Sequence, residues 1–189
     1  MNIVKGFWFM RTLFVKCFYG SIGKHSYIGK PVYIQNPKKI FIGDKVRIYP
    51  GMRAELVENS ASIKIGDNTS IGQNFHIVSY NNELLIGKNT TISANVFISD
   101  VDHTYSETGV HVLDQKLRYR STEIGENCFI GYGAVILPGT KLGKQCIVGA
   151  NAVVKGEFPD YCVIIGCPAK IVKIYNSETQ KWEKVERKH

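Results

Sequence analysis

Long apolar runs are missing from this 189-residue sequence. The apolar stretch from Gly6 to Met10 is short, and Arg11 and Lys16 interrupt the residues after it. Neither a membrane span nor a cleavable secretory leader is therefore expected. Arginine-rich runs are missing too, and with them any RNA-binding signature. Nucleic acid is thus not an expected partner, although the formal charge is +8, from 24 basic and 16 acidic residues. That excess suits an anionic membrane surface or a phosphorylated cofactor. The five cysteines, Cys17, Cys128, Cys146, Cys162 and Cys167, are odd in number. No pair has the spacing of metal ligands or of a disulfide framework, which fits a reducing, cytoplasmic compartment. Heptads and a 3.6-residue period are absent as well, which disfavours coiled coils and helical bundles. The length suits one substantial domain.

The sequence does hold a repeat of six. Its cleanest register runs Ile124, Ile130, Ile136, Leu142, Val148 and Val154, with Gly125, Gly131, Gly143 and Gly149 following four of these. Two residues before each aliphatic stand Thr122, Cys128, Ala134, Thr140, Cys146 and Ala152, all small. Three such hexapeptides make one coil of roughly triangular section, each contributing a short strand and a turn. The aliphatic side chain then points inward and stacks on its counterpart one coil away. Ile124 is expected over Leu142, Ile130 over Val148, and Ile136 over Val154. The small residue belongs near a crowded corner, and glycine eases a turn that often demands a positive φ.

Weaker copies precede these: Ile22-Gly23, Ile28-Gly29 and Ile34; Ile42-Gly43 and Ile48; Ile65-Gly66, Ile71-Gly72 and Ile77; Ile86-Gly87, Ile92 and Ile98. The breaks at Tyr49–Lys64 and Val78–Leu85 read as bulges or surface loops. The longest break, from Ile98 to Ile124, is not a multiple of six and contains Asp100-Val101-Asp102-His103-Thr104-Tyr105. A loop around residues 100–121 must protrude there.

Three segments are expected: 1–20, an aromatic-rich helical cap; 21–173, the repeat domain; and 174–189, a short helix or mobile tail around Trp182. Phe7, Phe14 and Phe18 share a helical face, with Lys5, Arg11 and Lys16 interspersed. Residues 2–19 read either as a cap over the open end of the coils or as an interfacial helix touching an inner membrane surface.

The repeats, from about Ile22 to Val154, and the segment from Ile124 to Lys173 resemble the hexapeptide-repeat acyltransferase family. The similarity is to maltose and galactoside acetyltransferases and to the sugar O-acetyltransferases of lipopolysaccharide, capsule and exopolysaccharide assembly. The resemblance implies an all-β fold, a left-handed parallel β-helix, which is an exception to the usual right-handed crossover. It also implies a homotrimer with sites in clefts between subunits, and acetyl-CoA as co-substrate. The acceptor class would be a sugar, nucleotide sugar or lipid-linked glycan.

Acetyl transfer to a hydroxyl needs a base, because an alcohol is a poor nucleophile at neutral pH, and histidine titrates in the right range. In the resembling family the base is a histidine in the loop after a repeat of the form Ile-x-x-x-Val-x-Ile. Here Ile92-Ser93-Ala94-Asn95-Val96-Phe97-Ile98 leads into His103. Asp100 or Asp102 would orient the imidazole, or both would be solvated loop carboxylates. Asn74 matches an asparagine on the acceptor sugar, and also suits a turn for structural reasons. Tyr105 would form part of the acceptor wall. For the cofactor the family implies Tyr132, Gly149 and Ala150 along the last coils, Lys155 shifted by one from a Thr-Lys pair, and the Gly166-Cys167-Pro168-Ala169-Lys170 ending. There Pro168 belongs to the contact, and Lys170 and Lys173 would meet phosphate.

Rival readings arise from the same fold. An antibiotic or other small molecule is an alternative acceptor. A γ-class carbonic anhydrase would bind metal through His76, His103 and His111, which lack that family's spacing. A non-catalytic scaffold would have no use for His103. A cysteine nucleophile would allow an acyl-enzyme route, but Cys128 and Cys146 sit at packed corner positions.

Overall fold

The computed structural model describes residues 3–185, so Met1, Asn2 and residues 186–189 of the expected end segments lie outside the described residues. The hexapeptides fold as expected into a parallel β-helix with three walls. The first wall carries strands from Ser21–Ile22 to Glu157–Phe158, and the second strands from Tyr27–Ile28 to Cys162–Gly166. The third runs from Tyr33–Ile34 to Val153–Val154. Its six strands mark six complete coils. Ile124 pairs with Leu142, Ile130 with Val148 and Ile136 with Val154, each in parallel register. The stacked aliphatics fill one continuous core.

The small residues two positions before the aliphatics do more than fit a crowded corner. Ser26 Oγ donates to Gly43 O at 2.7 Å, Thr90 Oγ1 to Gly125 O at 3.1 Å, and Cys128 Sγ to Gly143 O at 3.2 Å. Each stitches one coil's corner to the carbonyl of the next, satisfying acceptors that burial would otherwise leave unpaired. At this corner and the next the glycines let the backbones touch. A methyl group at Gly125 would lie 2.5 Å from Gly143 O, and one at Gly131 2.6 Å from Ala150 N.

The first two expected breaks prove to be partly wall. Arg53–Leu56 and His76–Ser79 are four-residue strands of the third wall, paired from Arg53↔His76 to Leu56↔Ser79. The repeat is hidden because the inward position holds Ala54 rather than a large aliphatic. Met52 and Phe75, both buried at the adjacent corner, supply the missing volume.

Both ends differ from expectation in instructive ways. The chain opens with helix α1 (Ile3–Val15), followed by a 3₁₀ turn at Lys16–Phe18. It caps only the exposed edge of the second wall: Thr12 Oγ1 accepts from Ile28 N at 2.8 Å, and Arg11 donates to Ile28 O at 3.2 Å. Trp8 packs on Tyr27 and Tyr49. Phe7, Phe14 and Phe18, grouped by their helical spacing, take no part in this cap and are exposed. At the other end, the expected helix or tail is a β-meander as far as it is described. Ala169–Asn176 turns back on Cys162–Gly166, and Lys181–Lys184 pairs with it in turn. Tyr175 lies between Tyr161 and Trp182, so the aromatic residues hold the meander on the last coil.

The long break is a protruding arm. Val101–His103 pairs antiparallel with Leu117–Tyr119, and the pair leaves the fourth coil at its third corner. Its root is buried. Asp100 has no solvent exposure, its Oδ1 accepts from Tyr80 N at 2.7 Å, and its carbonyl accepts from Arg120 N at 2.8 Å. Oδ2 has no partner among the described residues. Burial is the main cause that pushes the Asp100 carboxyl from 3.8 up to about 6.

Two outcomes test this frame. Gly125→Ala must force neighbouring backbones apart and should cost about 1–3 kcal/mol of stability, read as a lowered melting temperature. Asp100 keeps its proton in the fold where the unfolded chain has released it. Its contribution is therefore complete below the unfolded value and lost as pH rises through about 6. Asp100→Asn should remove that decline from the melting profile while keeping the bond to Tyr80. Asp100→Ala should lose about 1–3 kcal/mol, because Tyr80 N is left unpaired. A wild-type profile that rises between pH 4 and pH 7 with no declining component abolished by Asp100→Asn would contradict the assignment.

Candidate active site

His103 ends the outgoing strand of the arm, opposite Leu117. Its imidazole is exposed and makes no hydrogen bond, ion pair or ring contact among the described residues. The segment beyond it is nonetheless ordered. Thr104 N and Oγ1 both donate to Lys116 O, at 3.1 and 2.6 Å. Gln115, nearly buried, ties the tip from within: Nε2 donates to Glu107 O and Val110 O, and Oε1 accepts from Glu107 N. His111 Nδ1 accepts from Leu113 N and starts the short turn Val112–Asp114. Gln115 was not singled out from sequence, since a lone glutamine carries no signal until the loop closes around it.

Neither aspartate reaches the histidine. Asp100 is committed to the root of the arm, facing Tyr80 N. Asp102 is exposed, and side chains of adjacent strand residues point to opposite faces, so it lies on the other side of the hairpin from His103. Tyr105 is 76% exposed and lies just beyond the paired strands. Among the described residues of one chain, His103 therefore has no orienting partner.

The expected cofactor residues gather elsewhere. Tyr132, Gly149 and Ala150 follow one another up the corner between the second and third walls, where Asn151 N donates to Tyr132 O at 2.8 Å. The last hairpin folds down beside them. Gly149 N donates to Ile164 O at 2.8 Å, and a methyl at Gly149 would lie 2.7 Å from Ile165 Cγ2. Its tip holds the cis Cys167-Pro168 bond, with Lys170 opposite Ile165 and Lys173 opposite Val163, both lysines exposed. Lys155 is the exception: it follows Val153–Val154 at the far edge of the third wall, and so does not join this column.

Asn74 takes the same corner lower down, at φ 56°. Its Nδ2 donates to Asn95 Oδ1 at 3.0 Å, and Asn95 Nδ2 donates to Tyr132 Oη at 2.5 Å. The ladder continues that column downward, and Asn95 is the member that the repeat pattern alone did not single out. Its signal was available: asparagine recurs where the turn needs a left-handed residue. The arm leaves from the opposite edge of the third wall.

The other nucleophiles and histidines are accounted for. Cys128, Cys146 and Cys162 are buried in one column, with Cys146 and Cys162 sulfurs 3.5 Å apart. Thiol donation along that column and burial push the Cys128 and Cys162 thiols up. An acyl-enzyme on Cys128 or Cys146 is therefore closed off by burial. His76 Nε2 contacts Glu55 Oε1 at 2.8 Å, which also pairs with Arg53 at 2.6 Å. With His111 closing its turn and His103 free on the arm, the three histidines are engaged separately rather than gathered around one point.

With this geometry in view, a sequence profile of the bacterial transferase hexapeptide (six repeats) matches residues 121–156. A protein of Escherichia coli K12 named as a lipopolysaccharide biosynthesis O-acetyl transferase, WbbJ, is 35% identical over 161 residues, covering 82% of this chain and 81% of that one. The galactoside O-acetyltransferase of the same organism is 30% identical over 132 residues, covering 67% and 64%. Among solved structures, galactoside acetyltransferase in complex with coenzyme A superposes with a TM-score of 0.65 at 24% identity, covering 94% of this chain and 78% of that one. The N-acyltransferase AntD of Bacillus cereus, in complex with dTDP and 3-hydroxybutyryl-CoA, does so at 0.75 and 20% identity, covering 89% and 90%. These two likenesses show the shared fold. Repeat, register and relatives agree, and the chain belongs to the hexapeptide-repeat acetyltransferase family.

Proposed function

We propose that this acetyltransferase moves acetyl from acetyl-CoA to a sugar hydroxyl in surface-polysaccharide assembly, by direct transfer with His103 as general base. The observation that carries the reading is the arm. It is the one long departure from the repeat among the described residues, its root and tip are tied by buried Asp100 and Gln115, and it presents an unengaged imidazole. The lipopolysaccharide role named for the WbbJ relative supports the acceptor class.

In this reading the hydroxyl oxygen attacks the thioester carbonyl as His103 takes its proton. The C–S bond breaks, and the proton passes to the departing thiolate. Coenzyme A supplies the activated acyl group, and the solved relatives named with coenzyme A or an acyl-CoA support it as donor. The chain's own part is to hold it. Tyr132, Gly149, Ala150 and Pro168 form one column that would receive the extended arm of the cofactor, and Lys170 and Lys173 would meet its phosphates.

The protein's arm and this column stand at opposite edges of the third wall. A site formed between copies is the consequence, with the arm of one protomer closing on the corner column of the next. A homotrimer, the assembly that the family resemblance implies, would let each copy use both edges. The separation also leaves room for a neighbour to supply the orienting group that Asp100 and Asp102 do not. Asn74 stands on the column with Asn95 and Tyr132, where it would approach an acceptor brought up to the donor. Lys155, at the arm's edge, would act from that side.

His103→Ala should lower kcat at least about 100-fold, with an unchanged melting temperature because the exposed side chain makes no hydrogen bond, ion pair or ring contact among the described residues. Turnover within a few-fold of wild type would remove His103 from the chemistry. Lys170→Ala combined with Lys173→Ala should raise KM for acetyl-CoA about tenfold with little change in kcat, because phosphate binding is shared by ground and transition states. An unchanged KM would detach the hairpin lysines from the cofactor. Acetyl-CoA consumption measured against free sugars, nucleotide sugars and lipid-linked oligosaccharides identifies the acceptor.

A further inference from the structure

Helix α1 is built the wrong way round for a helix that merely covers a core. Surface helices turn their apolar stripe inward and their polar face to water. Here the residue buried most deeply is Thr12, whose hydroxyl serves the edge of the second wall. The spacing of Ile3, Phe7, Met10 and Phe14 puts them on the opposite side, and they are 78, 72, 53 and 76% exposed. Phe18 prolongs the stripe into the 3₁₀ turn at 59% exposed. Thr12 and Trp8 need the helix where it is, yet nothing among the described residues covers this outer face.

The charge around it is predominantly basic. Seven lysines and arginines precede Asp44, the first carboxylate in the sequence, so this end holds nearly all of the formal excess of +8. Beside the helix lies a groove of about 550 Å³ lined by Phe9, His25, Tyr27, Lys45 and Arg47. The Tyr27 hydroxyl is buried against Tyr49 and makes no well-formed hydrogen bond among the described residues. The nearby Asp44 carboxylate is already engaged, accepting from Lys24 N. The groove thus sets the cations of Lys45 and Arg47 beside aromatic side chains, which suits a phosphate head group on an acyl chain.

We propose that the outer face of α1 and the basic groove beside it dock this protein on an anionic phospholipid bilayer. The aromatic and aliphatic stripe enters the interface, and the cations of the first coils meet lipid phosphate. No helix among the described residues is long and apolar enough to cross a membrane, so the contact is peripheral. The basic excess selects this occupant over a second copy of the chain, because two such ends brought together would repel. The proposal does not depend on the identity of the acceptor.

Flotation of the full-length protein with vesicles tests it. The protein should bind vesicles of mixed phosphatidylglycerol and phosphatidylcholine at about 0.1 M salt, and bind pure phosphatidylcholine at least about tenfold more weakly. Phe7→Asp with Phe14→Asp should abolish flotation, and Lys16→Glu with Lys24→Glu should weaken it about tenfold or more. Both double variants should keep the wild-type melting temperature and oligomeric state, since none of the four side chains is buried in the fold. Wild-type protein that floats with neither vesicle overturns the proposal. So does a change of oligomeric state in Phe7→Asp with Phe14→Asp, which would assign the stripe to a contact between copies.

Discussion

Everything in this molecule rests on one coil lying directly upon the next. The parallel ladders, the stacked aliphatics and the corner stitches are three expressions of that contact, and none survives without the others. A ladder alone would leave the corners with unpaired carbonyls, which cost more when buried than a ladder bond returns. Ser26, Thr90 and Cys128 remove that cost by donating across the coil boundary. The glycines at the same corner let backbones approach closely enough for the donors to reach. A six-residue repeat is the sequence form of this arrangement, because each hexapeptide must supply one filler, one stitch and one bend.

A frame locked so completely makes any departure from it conspicuous. The arm leaves where a third corner would otherwise close, and its root is fastened as firmly as a corner. Tyr80 N, which a regular turn would pair with backbone, is met instead by the buried carboxyl of Asp100. A carboxyl held without solvent near neutrality is a poor partner for a histidine, and its cost is accepted only because it fixes where the arm begins. Asp100 and His103 thus divide the work, one anchoring the arm and the other exposed on it.

The core positions were legible because a repeat states the same constraint many times. Ile124, Ile130 and Ile136 lie where their spacing puts them, since a slip of one residue would turn every aliphatic outward. Ala54 was not legible, because Met52 and Phe75 fill the volume and the pattern shows only the small inward residue. The closing meander escaped as well: its lysines read as a solvated tail, while the contacts of Tyr175 with Tyr161 and Trp182 are visible only in three dimensions. The expected site residues divide similarly. Local motifs placed His103 in the arm and Ala150 with Lys170 beside the last coils, whereas the failure of Asp102 to face His103 comes from strand alternation in a loop that gave no sign of being a hairpin.

The distance between the arm and the corner column is what leads the proposed reading to a second copy. A β-helix wall is stiff, and the third wall separates the arm from the asparagine and tyrosine column by its full width. In the proposed reading no loop motion within one chain joins them, because a second copy related by rotation about an axis outside the chain would bring its own corner column to the arm. Under the proposed threefold symmetry each copy would offer its arm to one neighbour and its column to the other, and the ring would close. The cap of α1 lies at the other end of the stack from the hairpin lysines, so a protein seated by that helix would keep its cofactor column free. Its acceptor could then approach from the surface on which the helix rests while coenzyme A arrives from the water side.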